Sequence, residues 1–252
     1  MTNNTEISTT FFPEIIVDNT LFALDYSGGL VFRRTGAPVS AAEKERCVTA
    51  ITMLFISFEG YFNRIIYLLI NDPLTSTQYL ELKDESNTAA RLRGLLDNTA
   101  ISQTIVDRFN EALVIRNAIA HGHLYETNRN RHRRFSTINK IVLDDNNRNY
   151  TTHVNPRTYR TRNLRLHVVP SEIGISDLYQ VLKLWNSINK RLQKIHGHKA
   201  WLQGYIFPDY TNYLQASGRT NEIGPLENRL IGRDDGSFTE LLWLFDHVDR
   251  FD

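Results

Sequence analysis

Two side chains suited to acid–base work on a phosphate stand five positions apart near the middle of this chain. They are Arg116 and His121, in the run Val114-Ile115-Arg116-Asn117-Ala118-Ile119-Ala120-His121-Gly122. Histidine titrates near neutrality, so it can give or take a proton. Arginine stays charged and offers a planar fork of N–H donors that matches a phosphate. Asn117 precedes His121 by one helical turn, shares its helix face and is placed to orient the imidazole. On an ideal helix, five residues set His121 roughly 140° around the axis from Arg116. The two converge only if the helix ends near Gly122, if the arginine wraps, or if a second copy of the chain contributes. His123 lies on nearly the same face as Arg116, so either histidine can be the acid–base residue. Glu59 is the remaining charged candidate: it is either a buried partner for Arg116 or a solvated edge position.

These residues need a rigid frame, and the hydrophobic pattern supplies one. Ser40 followed by Glu43 is a capping box that starts a helix. Cys47, Ile51, Leu54, Phe55, Phe58, Phe62, Ile65, Ile66 and Leu69 then form one apolar stripe at helical period, ended by Asn71-Asp72-Pro73. Such a helix spans on the order of 45 Å and acts as the spine of a bundle. Shorter helical patterns run from about Asn87 to Leu96 and from near Ser102 into the Arg116–His121 run, with Gly122 as the stop. A last long one covers Ser176 to His196. Between them, Thr137 to Leu143, Tyr150 to Val154 and Leu164 to Val169 alternate apolar and polar residues, which predicts a β-hairpin or three short strands with exposed arginines. The expected fold is mainly α, a helical bundle at 41–198 interrupted by a basic β-hairpin insertion at 127–170. A lead-in at 1–40 precedes it, and a loop-rich extension at 199–252 with a short helix near Phe238 to Phe245 follows.

Composition excludes several classes. The chain has 252 residues, 41% hydrophobic and 23% charged, an ordinary globular balance. Its single cysteine, Cys47, rules out an intramolecular disulfide and a cysteine-rich zinc site, and fits a reducing cytoplasm. Met1 to Thr10 is polar and carries no signal-peptide pattern. Glu59, Asn63 and Arg64 interrupt the apolar run at 51–70, so a soluble protein is expected, not a membrane span. Net charge is +1, yet the stretch from Thr127 to His167 is about +8 by itself. Arg129, Arg131, Arg133 and Arg134 open that stretch, which can attract an anionic polymer or dock an acidic partner, or can be a solvated insertion. Tyr150 and Tyr159 are candidate stacking surfaces within it. His-Gly-His occurs at 121–123 and 196–198. A metal reading is weakened by the lack of cysteine ligands and of a helix-borne His-Glu pattern, and His196 and His198 read as the cap of a helix end.

The Arg116–Gly122 run resembles the signature of the HEPN superfamily: an arginine followed by a polar residue, with histidine four to six residues after the arginine. The asparagine after arginine and the glycine after histidine match. The resemblance covers 41 to about 125 and 176–198. It implies a metal-independent RNA endonuclease without cofactors, acting as a homodimer that brings two motif helices into one cleft. Arg116 would hold the scissile phosphate, and His121 would act as acid or base. It further implies a bacterial toxin or anti-phage, abortive-infection setting, with an antitoxin or defence-system protein as partner. His123-Leu124-Tyr125 resembles a toxin–antitoxin variant of the family in which the tyrosine is nucleotidylated by that partner. A non-catalytic HEPN module that dimerises or senses nucleotides is the alternative implication. A structural helical protein remains if the motif is chance.

Overall fold

The computed structural model describes residues 39–121, 124–129, 136–143, 152–155 and 157–196, together with Asn19. Apart from Asn19, Val39 and Ser40 the lead-in lies outside the described residues, as do the C-terminal extension with its expected helix, His198 and Tyr150. Of the described residues 76% are helical, in five α-helices, which makes the chain mainly α. Helix α1 is Ala41–Asn71, α2 is Ser76–Tyr79, α3 is Thr88–Leu95, α4 is Ala100–His121 and α5 is Ile175–His196. A 3-10 turn, Leu80–Lys83, leads from α2 towards α3.

Local chemistry sets the helix ends. Ser40 Oγ accepts from the Glu43 N–H at 3.1 Å, which starts α1. Asn87 Oδ1 accepts from the N–H groups of Ala89 at 2.9 Å and Ala90 at 3.2 Å, which starts α3. The predicted stripe of α1, from Cys47 to Leu69, is buried. Its centre is an aromatic cluster: the Phe58 ring lies 4.2 Å from that of Trp185 on α5 and 5.2 Å from that of Phe109 on α4. Phe55 and Phe62 flank it at 5.7 and 5.8 Å. Truncating one such ring costs about 3–5 kcal/mol, so this cluster anchors α1, α4 and α5 together. By length and composition α1 also passes for a bilayer span, with mean hydropathy 1.4 over its best window, but half of that window is buried in the bundle.

Helices α1 and α5 run in the same direction. At their starts the buried Glu43 carboxylate accepts from the Ile175 N–H at 3.1 Å; further along, Phe58 meets Trp185. Gly174 makes this approach possible, because a Cβ there would sit 2.8 Å from Glu43 Oε1. Helix α4 runs the opposite way to α5, since Arg191 late in α5 reaches Asp97 just before α4.

The β region departs from expectation. Ser136–Leu143 is a strand, β2, but it pairs backwards with β1, Leu124–Arg129, in antiparallel register from Leu124 opposite Leu143 to Arg129 opposite Ser136. β1 is polar and carries no clean alternation, so its pattern gave no strand signal. Leu164 to Val169 alternates but is no exposed strand: only His167 makes an isolated bridge, to Arg160, while Leu164, Leu166, Val168 and Val169 are buried. The two-residue strands β3, Val154–Asn155, and β4, Arg160–Thr161, pair beside it.

Residues 157–169 thus form a strap laid on the bundle. The buried Glu111 carboxylate on α4 holds it, accepting from Asn163 N–H at 3.0 Å, Asn163 Nδ2 at 2.7 Å and Leu164 N–H at 2.9 Å. Asp177 holds its other end, accepting from His167 N–H at 2.7 Å and Gly174 N–H at 3.0 Å and pairing with His167 Nδ1 at 2.9 Å. Tyr159 and Arg165 take positive φ values of 50° and 59°, a local cost of order 1 kcal/mol each that these anchors overcome.

Candidate functional site

Arg116 lies in the last turns of α4, on a part-exposed face. Its Nη2 donates to Glu59 Oε1 at 3.0 Å, and its Nη1 donates to Asn117 Oδ1 at 3.1 Å. Glu59 sits midway along α1, and its Oε1 also accepts from Thr88 Oγ1 at 3.2 Å, at the start of α3. Three helices therefore meet at the Arg116–Glu59 pair. The side chains of Arg116 and Glu59 are 31% and 42% exposed, so the pair is reachable from solvent and screened by it. Glu59 is thus a partner of Arg116, but at a part-exposed edge and not as the buried partner that was one of its two sequence readings. Two donors of the guanidinium are engaged among the described residues, of the five that an arginine carries.

His121 closes α4, and the helix is continuous from Arg116 to it. The separation of roughly 140° on an ideal helix therefore stands, with Asn117 one turn before His121. Gly122 and His123 lie outside the described residues, as do Arg131, Arg133 and Arg134, which fall between β1 and β2. Tyr125 and Arg129 are placed only as strand positions, opposite Ile141 and Ser136. The hairpin follows the motif helix within three residues of chain. Tyr159, read from the sequence as a stacking surface, instead packs against Val114, Val154, Val168 and Val169.

Other polar clusters are structural in geometry. Arg191 Nε donates to Asp97 Oδ1 at 3.2 Å and to Ser102 Oγ at 3.1 Å, and its Nη2 donates to Thr99 Oγ1 at 2.9 Å and also pairs with Asp97. The Arg191 guanidinium and the Ser102 hydroxyl hold the Asp97 carboxyl down at about 2, from an ordinary 3.8. Burial alone pushes the Tyr61 phenol far above its ordinary range, which suits a core residue. Burial also raises the Glu172 carboxyl. The buried His196 caps a helix end, as the sequence suggested, though of another helix than the one that carries it: its Nε2–H donates to the Leu95 carbonyl at the end of α3, 2.8 Å away. No group of three His, Cys, Asp or Glu among the described residues is arranged to hold a metal ion.

Sequence reasoning missed Thr88 and Arg91. Arg91 donates from Nη1 to Asn63 Oδ1, one turn along α1 from Glu59. The available signal was the polar break in the apolar run of α1, where Glu59 and Asn63 stand four apart on one face. No family model matches the chain, and no curated protein or solved structure matches it significantly.

Proposed function

We propose that this chain is a metal-independent RNA endonuclease of the HEPN type, with Arg116 holding the scissile phosphate and His121 transferring the proton. One observation carries the reading. Arg116 is a part-exposed guanidinium, fixed by Glu59 and Asn117 on the same continuous helix that His121 closes. A fork oriented in advance loses little freedom when it takes a phosphate, and charge stabilisation by a fixed donor is the larger part of such catalysis. The angular separation of the pair supports a homodimer, in which a second motif helix completes each Arg/His set. The basic residues Arg129, Arg131, Arg133 and Arg134 would recruit the RNA. A cytoplasmic toxin or anti-phage effector, with an antitoxin or defence-system partner, is the setting that the HEPN likeness suggests.

The test is cleavage of total cellular RNA in EDTA by wild type, Arg116→Ala, His121→Ala and His123→Ala. Wild type should cut, Arg116→Ala should not, and one histidine variant should be inactive. Cleavage that survives loss of Arg116 and of both histidines would sink the proposal. A second reading rests on the charge of Glu59, which already compensates Arg116. In that reading the pair is a helix staple and the chain is a non-catalytic HEPN interaction module. Wild type would then leave RNA intact, while Arg116→Ala would weaken self-association.

A further inference from the structure

A groove of about 430 Å³ opens between α1 and the turn that leads to α3. It is lined by Asn63, Tyr67 and Ile70 from α1, Leu82 and Lys83 from the 3-10 turn, and Arg91 from α3, and no carboxylate among the described residues lines it. Tyr67 is a large aromatic that is 44% exposed and has no ring contact among the described residues. Lys83 is exposed and has no ion pair among the described residues. Arg91 is tied to Asn63 through Nη1, and its Nε is buried without a hydrogen-bond partner among the described residues, so an anion would meet its Nη groups.

The groove continues the candidate site. Glu59, which holds Arg116 at 3.0 Å, Asn63, which accepts from Arg91, and Tyr67 stand four residues apart in succession on one face of α1. The line from Glu59 to Tyr67 runs about 12 Å along the helix. An exposed ring beside two cations, with amides between, is the equipment that single-stranded nucleic acid needs: a face for a base and charge for the flanking phosphates.

We infer that this groove is a base-binding subsite for single-stranded RNA, in which Tyr67 stacks one base while Lys83 and Arg91 hold the phosphates that lead to Arg116. The inference rests on the reading of RNA as substrate. It assigns a docking position outside the basic hairpin, and it makes the enzyme prefer unpaired RNA, because a ring can stack only on a base that is splayed out.

The test uses the full chain and a fluorescein-labelled, single-stranded 2′-O-methyl RNA oligonucleotide. That probe lacks the attacking hydroxyl and so is not consumed. Fluorescence anisotropy reads its affinity, and cleavage of unmodified RNA is followed in parallel. Tyr67→Ala should weaken binding on the order of tenfold, the loss of one stacked base, and Tyr67→Phe should retain it. Lys83→Gln should reduce the slope of log affinity against log salt by about 0.7. Tyr67→Ala binding as tightly as a wild type that binds and cuts overturns the subsite and leaves the nuclease reading intact. Tyr67-dependent binding without cleavage keeps the subsite and overturns the nuclease reading. A wild type that binds no single-stranded RNA overturns both.

Discussion

Glu111 is a buried carboxylate whose removal has a calculable effect. Both oxygens are occupied, by Asn163 N–H, Asn163 Nδ2 and Leu164 N–H, at 2.7 to 3.0 Å. In Glu111→Ala the Leu164 N–H stays buried without an acceptor, which costs about 1–3 kcal/mol. Asn163 is exposed enough for water to replace its two bonds, at about 0.5 kcal/mol each. The sum is about 3 kcal/mol, or a fall in Tm of about 6–12 °C for a chain of this size. Glu111→Gln should behave differently. Its amide oxygen can take the place of Oε2 and accept both backbone N–H groups. Its NH2 then meets the Asn163 carboxamide, which turns over to present Oδ1. Only charge assistance is lost, about 1 kcal/mol and about 2–4 °C. Thermal unfolding followed by circular dichroism at 222 nm reads both variants. If Glu111→Gln is as damaging as Glu111→Ala, or if Glu111→Ala shifts Tm by less than about 2 °C, the strap is not held by this carboxylate.

Two further outcomes are expected. Gly174→Ala places a methyl 2.8 Å from Glu43 Oε1 and should destabilise the fold by about 1–3 kcal/mol. Combined with Glu43→Ala it should cost less than the sum of the two single changes, and strict additivity in urea unfolding would count against the clash. The Asp97 carboxyl is depressed in the folded chain, so its contribution is present above its ordinary value of 3.8 and is lost as pH falls through about 2. Asp97→Asn should therefore flatten the difference in urea midpoint between pH 4 and pH 2, and an unchanged slope would refute the assignment.

The bundle was legible because its information is local. The stripe of α1, its Ser40 start and its end before Pro73 are all encoded within a few turns of the residues they govern. What stayed hidden depends on partners far along the chain. Glu111 reads as an ordinary helix carboxylate until Asn163 arrives 52 positions later. Leu164 to Val169 alternates as a strand does, yet of these residues only Arg165 faces solvent and the four from Leu166 to Val169 are all buried, because partners far along the chain cover both sides. β1 was invisible because pairing with β2, not its own composition, makes it a strand. In the candidate site, Arg116, Asn117 and His121 were singled out by the resemblance of their run to the HEPN signature, which their residue types suit. The Arg116–Glu59 bond crosses 57 residues, and only the oddity of a charged residue in an apolar run hinted at it.

The parallel course of α1 and α5 has an electrostatic consequence. Each helix N-terminus carries about half a unit of positive charge from its aligned peptide dipoles. Two parallel helices that start side by side bring those ends together, and they repel. Glu43 lies in the first turn of α1 and accepts from the first N–H of α5, so a single buried carboxylate faces both ends at once. About one unit of negative charge meets about one unit of positive charge, split between two helices. One side chain thereby sets where both helices begin and keeps their like poles side by side.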